Sequence, residues 1–204
     1  MLIPSENKFA RAVELWREWN SRINVISRKD EDNIFAHHIL HSLAIAQYLE
    51  LYYPSSGTTF LDVGTGGGFP GIPLAMVMPE AKFTLCDSIG KKVRVAQAVV
   101  DGLGLKNVEC VNARVESLPG QWDWIVSRAV TSLEIFYPWV KGRFRNSILY
   151  LKGGDIETEI AALQKKYHVP SENIRTWDIN SWLNDEYFAE KFVIEVGKNY
   201  LCTP

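Results

Sequence analysis

The sequence predicts an α/β fold: a mostly parallel seven-stranded sheet with helices on both faces and a helical extension at the N-terminus. Three observations carry this reading. Short apolar runs alternate with longer amphipathic stretches over the last three quarters of the chain, as a parallel sheet with right-handed crossovers requires. The first of these runs feeds a glycine-rich turn, "FLDVGTGGGFPGIPLA", from Phe60 to Ala75. The residues before it show only helical periodicity.

In chain order, Phe9, Ala12, Val13, Leu15, Trp16 and Trp19 recur at helical spacing with charges between them, which predicts an amphipathic helix over 9–19. A second helix is expected from about Ile34 to Tyr52, where Ile39, Leu40, Leu43, Ala44, Ala46, Tyr48 and Leu49 form a wide apolar face and Pro54 stops it. The intervening "SRINVISRKDEDN" reads as extended and then capped. After Pro54-Ser55-Ser56-Gly57, "TTFLDVG" is a buried strand and "GIPLAMVMPE" a helix with Pro73 in its first turn, where a missing N–H costs nothing. "KFTLCDS" is the next strand, followed by a helix from about Lys91 to Leu103 that ends in "GLG". "VECVNAR", "WDWIVSRAV" and "SILYLKG" are the third, fourth and fifth strands. "HVPSENIRTWDI" and "KFVIEVGKN" read as a closing antiparallel pair. This gives an N-terminal helical extension over 1–54 packed on an α/β domain over 55–204.

Composition excludes several classes. With 204 residues, 47% hydrophobic and 23% charged, the chain has ordinary globular values and room for one well-buried core. No stretch approaches the apolar length of a membrane span, and the first residues lack a signal-peptide pattern, so a cytoplasmic protein without membrane contact is expected. Cys86, Cys110 and Cys202 are far apart and form no CxxC pair. The net charge of -2 excludes a uniformly basic nucleic-acid binder, so any such partner must meet a local patch.

The glycine stretch lies where ligands bind in open α/β sheets, beyond the carboxyl ends of the strands. Two readings fit it. Gly66-x-Gly68-x-x-Gly71 satisfies the GxGxxG pattern that presents a helix N-terminus to a dinucleotide pyrophosphate, the signature of an NAD-linked oxidoreductase. Counted from the end of the strand, Gly64-Thr65-Gly66-Gly67-Gly68 is instead a GxGxG preceded by Asp62. An acid there is awkward beside a pyrophosphate and useful beside an ammonium or sulfonium group, both of which S-adenosylmethionine carries. Asp87, about twenty residues on at the second strand's end, suits ribose hydroxyls in either case. Ala113 to Glu116, after the third strand, would line an adenine slot, an arrangement more typical of methyltransferases.

"FLDVGTGGGFPGIPLA", "FTLCDSIGKKVRV", "NARVESL" and "IVSRAV", in that order, resemble the ribosomal RNA small subunit methyltransferase G family. "NVISRKDEDNIFAHHILHSLAIA" resembles its N-terminal helical region, so the likeness covers most of the chain and weakens after about Lys152. The resemblance implies a Rossmann-like fold that binds S-adenosylmethionine and methylates N7 of a guanine in 16S rRNA, within an assembling small ribosomal subunit in one version of that expectation. It also implies cofactor contacts at Gly64, Phe69, Val115, Glu116 and Arg128, to which methyltransferase logic adds Asp62, Gly66 and Asp87. Three positions depart from the family pattern: Gly67 for a frequent proline, Phe69 for a frequent leucine, and His41 for an aspartate. Methyl transfer to another RNA or to a small molecule is the alternative within the class.

Guanine N7 bears an in-plane lone pair and no proton, so attack on a sulfonium methyl needs positioning rather than a general base. The fourth strand agrees. Enzymes that methylate amines often place Asn-Pro-Pro-Tyr or a near relative at its end, whereas here Ser127 and Arg128 stand there, and an arginine fork matches guanine O6 and N7. Arg128 is therefore the expected catalytic positioning group. Arg28-Lys29, Lys91-Lys92-Arg94, Lys141-Arg143-Arg145 and Lys152 are candidate phosphate contacts if they lie at the sheet's carboxyl edge. Trp122, Trp124, Phe136, Tyr137 and Trp139 are expected mostly in the core. His37, His38 and His41 share spacing with metal ligands but lack the glutamate of a zincin, so no metal is expected.

Overall fold

The β1 strand, Thr59–Val63, buries four consecutive residues, Phe60 to Val63, as only a strand covered on both faces does. It pairs in parallel with β2 (Lys82–Asp87) on one side and β4 (Trp122–Arg128) on the other. With β3 (Val108–Asn112), β5 (Phe144–Gly153), β6 (Ile174–Asp178) and β7 (Lys191–Gly197), the sheet runs β3-β2-β1-β4-β5-β7-β6. The first five strands are parallel, and β7 lies antiparallel between β5 and β6. The chain leaves β1 toward one edge and returns at β4 toward the other. Their connections diverge above the carboxyl ends of β1 and β4, which opens a crevice there. The computed structural model describes residues 3–53 and 58–197.

Alternation along β1 divides the core. Phe60 joins a cluster with Phe83, Leu85, Val95 and Val99, covered by α4 (Gly90–Leu103), α3 (Gly71–Val77) and the N-terminal helices α1 (Ala10–Asn20) and α2 (His41–Tyr52). Leu61 and Val63 point to the other face, where Phe136, Ile148 and Tyr150 pack under α5 (Leu133–Val140) and α6 (Ile156–Tyr167). Phe9, Trp16, Ile39 and Leu43 belong to the first cluster, so the N-terminal helices complete one side of the core.

Three local expectations change. Arg28–Asn33 is a 3-10 helix rather than extended chain, and Ile34–Leu40 is wound as a π-helix before α2 begins at His41. The Asn20 side chain shapes this entry: it accepts from the Val25 and Ile26 amides at 2.9 Å each and donates to Ile26 O at 3.1 Å, closing the loop after α1. The closing strand pair is also not a tight hairpin. A short helix α7 (Asn180–Leu183) and a 3-10 turn (Glu186–Phe188) separate β6 from β7. The residues of the Pro54–Gly57 break and Cys202 lie outside the described residues.

Candidate active site

The chain leaves β1 through Gly64 at φ +70°, and the amides of Gly64 and Thr65 both donate to Cys86 O at the end of β2. A Cβ on Gly64 would stand 2.4 Å from Val130 Cγ2, so only glycine fits where the loop turns under that side chain. Two acids brace the loop from behind. Asp62, fully buried, accepts through Oδ2 from Thr65 Oγ1 at 2.6 Å and from the Gly71 amide at 2.8 Å. Burial pushes its carboxyl up to about 7, although those two hydrogen bonds pull the other way. Asp87 accepts from the Gly66 amide at 3.0 Å and the Ile89 amide at 2.8 Å, tying the glycine loop to the start of α4.

Above the loop lies a cleft of about 470 Å³, the size of a cofactor site. One wall is Gly64 and Asp87, and the next is the turn after β3, with Ala113, Arg114, Val115 and Glu116. Arg143 holds that turn from below, donating from Nη2 to Glu116 O at 2.7 Å and from Nη1 to Leu118 O. Trp139 of α5 faces the same end. Arg128, Ala129 and Val130 close the third side, where Ala129 adopts φ +44° and turns the chain so that Val130 lies over Gly64. Lys92 also lines the cleft, beside Arg114.

Arg128 is the distinctive group. Its guanidinium lies 4.8 Å from the centroid of Phe69, a cation–π contact, and makes no hydrogen bond or ion pair among the described residues. Burial lowers its pKa to about 10, so it remains a cation at neutral pH with five N–H donors unspent. Phe69 is itself held by the N-terminal extension: Trp16 stacks on it at 4.2 Å and donates from Nε1 to Gly67 O at 2.8 Å.

Of the residues expected to contact a cofactor, Gly64, Asp87, Val115, Glu116 and Arg128 line the cleft together. Asp62, Gly66 and Phe69 stand behind that wall, as brace, turn and platform. Ser127 is buried and donates to Val63 O at 2.7 Å, which ties β4 to β1 and leaves Arg128 alone to face the cleft. The basic clusters do not form one rim. Arg145 pairs with Asp123 near the sheet's amino end, Lys152 pairs with Glu159 at 2.8 Å, and Arg143 supports the turn after β3. Lys92 alone of those clusters reaches the cleft. Among the aromatics, Trp124 and Phe136 are core, while Trp139 lines the cleft. His37 and His38 both bind Asp30, and no group of three His, Cys, Asp or Glu among the described residues is placed to hold a metal. Ser88, Ile89, Ala129 and Val130 also line the cleft; their signal is position, one or two residues past a strand's carboxyl end.

Among solved structures, magnesium protoporphyrin IX methyltransferase from Synechocystis with bound SAM superposes with a TM-score of 0.65 at 15% identity, covering 97% of this chain and 99% of that one. The plantazolicin methyltransferase BpumL in complex with SAH gives 0.62 at 13% identity, covering 95% and 97%. At that identity they establish the fold, a Rossmann-like methyltransferase architecture. Curated relatives named ribosomal RNA small subunit methyltransferase G are much nearer: 45% identical in Christiangramia forsetii over 95% of this chain and 90% of that one, and 42% in Cytophaga hutchinsonii over 96% and 94%. The model of the GidB family, rRNA small subunit methyltransferase G, matches residues 5–180, and the chain belongs to that family.

Proposed function

We propose that the protein methylates N7 of a guanine in 16S rRNA, with Arg128 as the group that positions the base. The enzyme is an S-adenosylmethionine-dependent rRNA methyltransferase, and the residues fit that cofactor: a glycine stands where a Cβ would strike Val130, and Asp87 and the turn after β3 line the cleft beside it. S-adenosylmethionine supplies an electrophilic methyl group carried on a sulfonium. Asp87 keeps lone pairs beyond its two amide contacts and is placed to accept from ribose hydroxyls. Val115 and Glu116 would flank the adenine, with Trp139 opposite. Asp62 acts from behind, holding Thr65 and Gly71 so that the loop keeps its shape.

The single observation that carries the reading is the unspent guanidinium of Arg128 on the cleft wall. In transfer to N7 the N7–C bond forms as the C–S bond breaks, and no proton leaves the base. The chain's work is then to bring N7 into line, and an arginine donating to O6 fixes the adjacent nitrogen. Such alignment supplies several kcal/mol of the barrier reduction, up to about 7–11 in favourable cases. A partly buried, unpaired arginine without a histidine in the cleft suits this task better than transfer to an amine, which must lose a proton.

We further propose that the substrate is presented in an assembling small subunit, in the cytoplasm, because the chain is slightly acidic and, among the described residues, Lys92 and Arg114 are the basic groups that line the cleft beside Arg128. No described helix is long and apolar enough to cross a membrane. The test is methyl incorporation by the purified protein into 16S rRNA and into small-subunit particles from a strain lacking the modification. Digestion should yield 7-methylguanosine, and Arg128→Ala should cut the rate at least a hundredfold at saturating S-adenosylmethionine. Wild-type turnover in that variant would refute the assignment.

A further inference from the structure

The histidines singled out in the sequence lie behind the cleft, and both His37 and His38 turn onto one carboxylate. His37 Nδ1 lies 2.5 Å from Asp30 Oδ1 and His38 Nε2 lies 2.8 Å from Asp30 Oδ2. Adjacent residues of an α-helix point about 100° apart, which sets two neighbouring rings badly for one partner. The π-wound segment Ile34–Leu40 turns less per residue and narrows that angle. Such winding is rare and recurs at functional sites.

The proton positions follow from chemistry. Burial pushes the Asp30 carboxyl upward, but the hydrogen bond from His37 and the nearby charge of His38 outweigh it and hold Asp30 below its ordinary value. It is ionised at neutral pH and only accepts, so both facing ring nitrogens carry protons. Burial and the neighbouring Arg128 lower His38 to about 4, so its ring is neutral with the proton on Nε2. Its Nδ1 is then a bare acceptor, enclosed and without a hydrogen-bond partner. The ring packs 5.4 Å from Phe69, the same side chain that carries the Arg128 guanidinium. On the far side, His37 stacks flat on Tyr187 at 3.4 Å.

We propose that Asp30 is a positioning residue for methyl transfer, acting through His38: it anchors the ring that packs against Phe69, and so fixes the platform on which the Arg128 guanidinium lies ready for the base. This rests on the transferase reading above.

The test measures initial rates and S-adenosylmethionine affinity with the full-length enzyme and 16S rRNA substrate. Asp30→Asn presents one acceptor and one donor to two N–H groups, and should lower kcat at least tenfold with cofactor Kd within twofold of wild type. His38→Gln keeps a neutral N–H for Asp30 and should retain kcat within threefold, whereas His38→Leu should fall as Asp30→Asn does. In an Arg128→Lys background, Asp30→Asn should change kcat less than twofold, since the effect runs through the guanidinium. An Asp30→Asn kcat within twofold of wild type, or the same tenfold loss in the Arg128→Lys background, would overturn the proposal. If Asp30→Asn does not fold, His38→Gln performing no better than His38→Leu overturns it instead. Failure of the wild-type enzyme to form 7-methylguanosine would overturn the functional reading beneath it.

Discussion

Asp62 shows what a buried acid does at this site. Its pKa is raised in the folded state, so folding favours the protonated carboxyl: that stability is complete below the unfolded value near 4 and is lost as pH rises through about 7. Urea unfolding of the wild type should therefore lose on the order of 2–3 kcal/mol between pH 5 and pH 8 relative to Asp62→Asn, which cannot ionise. Parallel profiles for the two proteins would show that Asp62 does not titrate as its burial implies. Gly64 makes a second prediction. Gly64→Ala places a methyl 2.4 Å from Val130 Cγ2 at a φ of +70°, and the resulting shift of loop or Val130 should weaken S-adenosylmethionine binding at least tenfold by calorimetry while the circular dichroism spectrum is unchanged. At this scale the sequence was legible where a residue's place in a strand fixed its direction. Asp87 and Arg128 end β2 and β4, Gly64, Val115 and Glu116 follow β1 and β3, and all line the cleft. Asp62 is the penultimate residue of β1, and alternation turns it behind the loop, where it holds Thr65 and Gly71.

Among the elements, α1 acts at a distance from its own sequence neighbours. Periodicity located the helix, but nothing in it indicated that Trp16 reaches Gly67 and Phe69, a contact across 51 residues. Trp16→Phe keeps an aromatic face for Phe69 and removes the indole N–H, leaving Gly67 O without that donor. The expected cost is about 1–3 kcal/mol in stability, with a severalfold loss of cofactor affinity although residue 16 does not line the cleft. Unchanged affinity would confine Trp16 to a packing role. The π-helix was equally hidden, since "IFAHHIL" has the apolar spacing of an α-helix and only the shared Asp30 reveals the wider winding. The central strands were readable as short apolar runs bounded by turn residues, and the edge strands β3 and β6 by their place between turn residues, whereas the β6 to β7 connection carries its helices in sequence too polar and short to show period.

At the scale of the whole molecule, we propose that the boundary between 1–54 and 55–204 separates two layers rather than two folding units. Phe9, Trp16 and Leu43 share a cluster with Phe60, Phe83 and Val99, so calorimetry should show one unfolding transition; two resolved transitions would separate the extension from the sheet. The same wholeness explains the site: the crevice comes from the strand order, its glycine floor and the Phe69 platform under Arg128 from the loop after β1, and the backing of that platform from Trp16 of the N-terminal helix. The most direct measurement of the central claim is mass spectrometry of 16S rRNA from cells lacking this protein. One 7-methylguanosine should be absent, should return with the wild-type gene, and should not return with the Arg128→Ala or Gly64→Asp variant. A modification map unchanged by the deletion would contradict the claim.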